Sequence, residues 1–218
     1  MIKQLFLTSI ALFLLKLSIA QVEKPYQKDE DDNLVININY DTWLTVPEKI
    51  SLRPISLGFS FGNFYDLKFG KSNFSLGLGY GFHSHNVHQD GKFIDSSEVN
   101  QTFLVPRKQD FKKNKYVVNY LDIPIELRFK TKTRRTFRIA IGVKAGWLLS
   151  DHTKTIDEDG KRKFYNLNRT KNYQYGLTGR IGYGDFNFFM YYGLTSIFED
   201  GKGPELIPFS LGFSIVPF

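Results

Sequence analysis

Strict alternation of apolar with small or charged residues is the feature that most limits how this chain can fold. In residues 137–147, FRIAIGVKAGW, every odd position is apolar and every even position is Arg, Ala, Gly or Lys. Successive side chains of a β-strand point to opposite faces of the sheet. A period of two therefore predicts a strand with two chemically different faces. What the alternation leaves open is which face contacts water.

The same alternation recurs along the chain, and no segment has a convincing helical period. Several of the alternating segments are longer than the usual five or six residues of a strand. They match the roughly nine to eleven residues with which a tilted strand crosses a bilayer. The sequence therefore predicts an all-β fold, an eight-stranded antiparallel up-and-down transmembrane β-barrel. The predicted strands lie at about 34–44, 53–69, 73–85, 116–130, 137–150, 173–183, 186–198 and 206–218.

The predicted connections alternate between tight turns and longer links. An even number of strands, with short turns at one end and long loops at the other, is typical of outer-membrane barrels. If the N-terminus lies in the periplasm, every tight turn lies on the periplasmic side. The predicted turns are 70–72, 131–135 and 184–185, the long links are 86–115 and 151–172, and the shorter links are 45–52 and 199–206.

The chemistry of the two faces separates a membrane barrel from a soluble barrel of the lipocalin type. A soluble barrel fills its interior with apolar side chains and keeps its charges outside. In this chain the polar face is mostly Gly, Ser and Ala, which suit a narrow interior, and the apolar face is bulky. We therefore predict that Ile139 and Val143 face lipid and that Arg138 and Lys144 point inward. The residues predicted to form interfacial aromatic girdles are Tyr40, Trp43, Tyr116, Trp147, Tyr173 and Tyr183.

The first twenty residues have the pattern of a secretory signal peptide. Lys3 precedes an apolar run that ends in Ser-Ile-Ala at 18–20, a small-x-small cleavage pattern. An uncleaved membrane anchor is the alternative, and Lys16 within the apolar run argues against it. The predicted domains are a signal peptide at 1–20, a short periplasmic segment at 21–33 and an outer-membrane barrel at 34–218.

One strand and the strand that follows it resemble a known family. YLDIPIELRFK at 120–130, a short basic turn and then FRIAIGVKAGW are similar to the Bacteroidetes outer-membrane β-barrel family, the PorT-like small porins. The resemblance covers roughly 34–218 and implies the outer membrane of a Bacteroidetes-type bacterium. It carries over no catalytic residue. Because Pro124 cannot donate a ladder hydrogen bond, we also predict a local bulge in this strand.

Charged residues on the inward face predict a network of internal salt bridges. Asp122 and Glu126 are four residues apart on one strand, about 13 Å by the rise of a strand. That distance is wide for a paired-carboxylate active site. Buried charges must be paired, so these groups are expected to close the barrel. The predicted lumen charge network comprises Asp66, Lys68, Asp122, Glu126, Arg128, Arg138, Lys144 and Arg180.

Three histidines are the candidate metal ligands of the sequence. His83 and His85 are predicted to point to the same side of a strand, and His88 could fold back from the following loop. Neutral imidazoles suit Zn²⁺ or Cu²⁺, and the alternative is a polar rim at the top of the strand. The sequence has no Ser/His/Asp spacing, phosphate loop or cysteine motif. We therefore predict no enzyme, no catalytic residue and no cofactor.

The net charge of +7 does not lead to a prediction of nucleic acid binding, because the predicted compartment is the outer membrane. The predicted partners are outer-membrane lipid and lipopolysaccharide, with another envelope protein as a further candidate.

The sequence leaves two functions open. One is a structural or interaction barrel, binding through its loops or acting within an envelope complex, with its lumen plugged by charged residues. The alternative is a narrow pore for small solutes or ions. The number of inward charges favours the first.

Overall fold

The computed structural model of the protein describes residues 34–132 and 136–216. The predicted signal peptide, the segment 21–33 and the terminal Phe218 lie outside these residues. Within them, no helix is long and apolar enough to cross a bilayer. The strands of this part of the chain are β1 (Leu34–Trp43), β2 (Leu57–Lys68), β3 (Phe74–His88), β4 (Gly91–Ser96), β5 (Gln101–Pro106), β6 (Lys113–Lys130), β7 (Phe137–Asp157), β8 (Gly160–Tyr165), β9 (Tyr173–Tyr183), β10 (Phe186–Gly193) and β11 (Pro208–Ile215).

Antiparallel pairing joins eight of these strands in a ring. β1 pairs with β2, β2 with β3, β3 with β6, and β6 with β7. β7 then pairs with β9, β9 with β10, β10 with β11, and β11 with β1. We call these eight strands the strand ring. All of the pairs except β11 with β1 join strands that follow each other around the ring in chain order.

The other three strands lie in the two links that were predicted to be long loops. β4 and β5 form a hairpin between β3 and β6, and β8 pairs with the far end of β7. The prediction of loops at 86–115 and 151–172 was therefore wrong in part. The alternation of apolar with small or charged residues that predicted the other strands is absent from these three.

The polar face of the strand ring is buried and its apolar face is exposed. On β7, Arg138 and Lys144 are 5% and 8% exposed, whereas Ile141 and Val143 are 67% and 51% exposed. This arrangement is the reverse of a soluble barrel, and it matches the predicted division of the two faces.

The connections have two lengths. Residues 69–73 join β2 to β3, and 184–185 join β9 to β10, where Gly184 has the positive φ that a two-residue turn favours. The long connections lie at the other end of the ring. We call the two ends of the ring the short-turn end and the long-loop end. The long-loop end carries residues 44–56, 89–112, 158–172 and 194–207.

A hydrophobic cluster lies at the long-loop end, and two residues predicted for the girdles belong to it. Trp43 and Tyr116 are 3% and 1% exposed, so their placement among the girdles was wrong. Each shares the parity of a buried carboxylate, Trp43 with Asp41 and Tyr116 with Asp122, so the alternation itself directs both inward. Members of this loop-end cluster are Trp43, Ile50, Val87, Leu104, Tyr116, Val118, Tyr120, Ile197, Phe198 and Leu206.

The predicted bulge at Pro124 is not present. Pro124 keeps an unbroken register opposite Lys144, and the register between β6 and β7 shifts instead between Asn119 and Tyr120. The side chain of Pro124 is buried on the inward face. The register with β3 is the same on both sides of it, with Leu78 opposite Ile125 and Gly81 opposite Asp122.

Candidate functional site

Glu126 is the centre of one buried charge network. On β6, it accepts a hydrogen bond from Arg128 Nε at 2.9 Å and another from Arg180 of β9. Arg128 also pairs with Asp66 of β2, at 2.7 Å between Nη1 and Oδ1. All four side chains are buried. Because β2, β6 and β9 are not neighbours in the strand ring, these contacts cross its interior.

Asp122 is the centre of a second network. Its Oδ2 lies 2.6 Å from His83 Nδ1 and 3.0 Å from Lys144 Nζ. Gln174 Nε2 lies 2.8 Å from the other ring nitrogen of His83. Lys144 Nζ also lies 3.1 Å from His83 Nδ1, so the imidazole is in contact with three polar side chains. This network takes one side chain from each of β3, β6, β7 and β9.

Two aromatic side chains fill the space between these groups. Phe64 of β2 has Arg128 Cζ at 4.0 Å and Arg180 Cζ at 5.6 Å from its ring centroid. Tyr191 of β10 has Lys144 Nζ at 4.2 Å, and its ring centroid is 6.0 Å from that of His83. Cations within about 6 Å of an aromatic ring are attracted to it. β2 and β9, like β3 and β10, are opposite each other in the strand ring. The contact of Phe64 with Arg180 and that of Tyr191 with His83 therefore span its full width.

Sequence comparison identifies the family. Residues 26–199 match the outer membrane protein β-barrel domain family. The chain belongs to this family. Membership places the protein in the outer membrane and its exposed apolar face against lipid. No curated protein gives a significant match to the chain.

Sequence reasoning missed the aromatic residues on the inward face of this outer-membrane barrel, among them Phe64, Phe189 and Tyr191. Phe64 and Tyr191 lie on the polar parity of their strands, among Gly, Ser, Asn and Asp. The sequence signal that could have identified them is an aromatic residue at an inward-facing position of a strand. Because a barrel of this width holds only side chains, such a residue must reach toward the opposite wall.

The glycines of the inward face make room for the charged groups. A Cβ at Gly77 would lie 2.6 Å from Arg128 Nε, and one at Gly146 would lie 2.7 Å from Asp122 Oδ1. Real Cβ atoms do not approach other atoms so closely. The small residues of the polar face therefore serve the crowded barrel interior, as the sequence indicated.

Two further residues of the predicted lumen network lie at the short-turn end. Lys68 is exposed at the end of β2, unlike the other predicted members of the network. Arg138 is buried and donates from Nη1 to the carbonyl oxygen of Gly184, in the turn between β9 and β10. The other six predicted residues belong to the two networks around Glu126 and Asp122.

The structure does not bring the three candidate metal ligands together. His83 contacts Asp122, whereas His85 Nδ1 lies 3.4 Å from Asp41 Oδ1. β3 continues to His88, and the odd spacing from His85 puts His88 on the opposite face. Within 34–132 and 136–216, no three His, Asp or Glu side chains form a group that could hold a metal.

Proposed function

We propose that the protein is an eight-stranded transmembrane barrel with a closed lumen, which acts in the cell envelope by binding through its long-loop end. The contacts across the barrel carry this proposal. His83 meets Tyr191, and Phe64 meets Arg180, each pair from opposite strands. An eight-stranded barrel has an interior only wide enough for side chains. An ion crossing it would have to separate these groups from their partners.

The loop-end cluster supports the same function against the alternative of a narrow pore. Tyr116 and Phe198 stack with centroids 6.2 Å apart, and Trp43 lies 6.3 Å from Tyr116. These buried rings cover the end of the barrel beyond the charged networks. A water-filled path would have to pass both layers. The folded long-loop end offers the larger surface for a partner.

We expect the purified protein to give no steady conductance in planar lipid bilayers. Charges that are paired in a narrow lumen leave no hydrated path, and unpairing them costs several kcal/mol per ion. The measurement is single-channel recording with a known open porin as the positive control. A stable open channel that is abolished by changing Arg138 or Glu126 would reverse the assignment in favour of the pore.

A row of lysines supports lipopolysaccharide as a partner. Lys115 on β6 is directly opposite Lys154 on β7, which is directly opposite Lys163 on β8. Like charges placed opposite each other destabilise a sheet. Within the described residues, none of the three forms a salt bridge with a carboxylate. Lys115 shares the outward parity of Leu121 and lies about 20 Å beyond it along the strand. In this position the row would face the phosphates of the outer leaflet.

The double substitution Lys154→Gln/Lys163→Gln is expected to weaken lipopolysaccharide binding about thirtyfold. Each lysine near an anionic lipid surface contributes about 1 kcal/mol, and about 1.4 kcal/mol is a tenfold change. The measurement is titration of the detergent-solubilised protein with lipopolysaccharide at low salt. The matched control is Lys71→Gln/Lys132→Gln at the short-turn end, which is expected to bind like the wild type. Equal affinities for all three proteins would contradict the assignment.

A further inference from the structure

We propose that the long-loop end contains a binding pocket for a small organic anion, with an apolar or aromatic body and a phosphate, sulfate or carboxylate group. The pocket lies between the β4–β5 hairpin and the paired ends of β7 and β8, and its volume is about 670 Å³. Pockets for small ligands usually have about 300–1,000 Å³. This inference deepens the proposed function, on which it rests, by naming a ligand class for the long-loop end.

The charge of the pocket selects an anion. Its lining includes Lys92, Arg107, Lys108 and Arg162 and contains no carboxylate. Arg107 and Arg162 both pair with Asp157. Arg162 also lies 3.7 Å from the exposed carboxylate of Asp159, so the four cations of the lining face two carboxylates. The pocket therefore keeps a net positive charge. Guanidinium groups bind phosphate and carboxylate with charge-assisted hydrogen bonds, which are the strongest of the ordinary hydrogen bonds.

Arg107 is held in place before any ligand arrives. Its Nη1 donates to Thr155 Oγ1 at 3.3 Å, and its Nη2 lies 3.1 Å from Asp157 Oδ2. Its side chain is nine-tenths buried, and within the described residues its Nε has no hydrogen-bond partner. A buried donor without a partner costs about 1–3 kcal/mol. This Nε–H group, in a positively charged wall, indicates a site that is completed by an acceptor.

The floor of the pocket is rigid because Asn114 fixes it. Its Nδ2 donates to the carbonyl oxygens of Gln89 and Gly91, at 2.9 and 2.6 Å. Its Oδ1 accepts a hydrogen bond of 2.8 Å from Thr155. All the hydrogen-bonding atoms of this buried amide are engaged by the protein. A preformed floor lowers the entropy cost of binding.

The apolar part of the lining selects the body of the ligand. Phe164 and Ile94 line the pocket and are exposed, although they lie in the part of the chain beyond the lipid-facing strands. Covering such side chains is favourable by about 25 cal/mol per Å² of apolar surface removed from water. An anion with an aromatic or aliphatic body covers them, whereas inorganic phosphate does not.

The pocket and the lysine row lie on opposite faces of the same two strands. Arg162 and Phe164 are opposite Thr155 and Thr153, and they alternate along β8 with Lys163. Substitutions on one face therefore leave the other face intact. This separation lets one experiment distinguish failure of the pocket from failure of lipopolysaccharide binding.

The test is calorimetric titration of the full chain in lipid nanodiscs with 2-naphthyl phosphate. We expect saturable binding, with weaker binding of the uncharged 2-naphthol and of inorganic phosphate. Lys92→Gln/Lys108→Gln/Arg162→Gln is expected to reduce affinity for 2-naphthyl phosphate at least tenfold while the protein stays folded, as its heat-modifiable migration on gels shows. Phe164→Ala is expected to weaken binding of both naphthyl compounds.

The matched control is Lys154→Gln/Lys163→Gln, which is expected to bind 2-naphthyl phosphate like the wild type. The pocket assignment is overturned if the wild type shows no saturable binding. Equal binding by the triple variant, or equal affinity for 2-naphthol, overturns it as well. A conducting channel in planar bilayers, by contrast, contradicts the proposed function and leaves the titration result unaffected.

Discussion

Replacing Asp122 with Ala is expected to lower the free energy of unfolding of the barrel by about 3–5 kcal/mol. His83 and Lys144 both bind its carboxylate, at 2.6 and 3.0 Å, and all three side chains are buried. Without Asp122, Lys144 keeps a buried charge and has no carboxylate partner among the described residues. A buried charge left alone costs far more than the pair contributes.

A double variant separates the charge from the loss of packing. Asp122→Ala/Lys144→Met removes both charges, so it is expected to be more stable than Asp122→Ala alone. Stability is measured by urea titration in lipid vesicles, with folded protein detected by its heat-modifiable migration on gels. The control Glu199→Ala removes an exposed partner of Lys202 and is expected to cost less than about 1 kcal/mol. Equal losses in the single and double variants would show that unpaired charge is not the cause.

Replacing Phe198 with Ala is expected to destabilise the long-loop end by about 3–5 kcal/mol while the strand ring stays folded. Phe198 is fully buried, stacks on Tyr116 of β6 and contacts Phe93 of β4 with centroids 5.6 Å apart. It therefore joins the β4–β5 hairpin to the barrel. The cavity left by its ring removes contacts from both elements.

The effect should be confined to the loops. Hydrogen exchange is expected to rise in 91–106 and 197–206, while the strands of the lipid-facing ring keep their protection and the protein remains heat-modifiable. Phe103→Ala, which removes an exposed ring from β5, is the matched control and should change little. Unchanged exchange in the Phe198 variant would mean that the loop-end cluster does not hold the hairpin. Loss of heat-modifiability would mean that the cluster is needed by the whole barrel.

The alternation in the sequence determined the lipid-facing strands and the direction of their side chains. Inside a bilayer every backbone N–H and C=O must be paired within the protein. The two faces of a strand then meet different surroundings, lipid on one side and other side chains on the other. The alternation in residues 137–147 reflects this contrast at every position. Arg138 and Val143 were therefore assigned to the correct faces. The family that the comparison identifies is consistent with the same pattern.

The partners of the inward charges were decided by the tertiary structure. Asp66 and Arg128, or Glu126 and Arg180, meet only because the register of several successive strand pairs sets their heights in the barrel. No local pattern encodes those heights. A bulge was predicted at Pro124, but the register shifts between Asn119 and Tyr120 instead. The register therefore depends on the pairing with neighbouring strands.

The structure of the long-loop end was also beyond the sequence pattern. There the lipid no longer imposes an apolar outer face, so β6 and β7 continue through lysines and threonines without apolar alternation. His88 was placed in a loop for this reason, although β3 continues to it. The inward direction of Tyr116 follows from its parity, but its partners do not. Phe93 and Phe198 are distant from Tyr116 in sequence, and only the folded chain brings the three rings together.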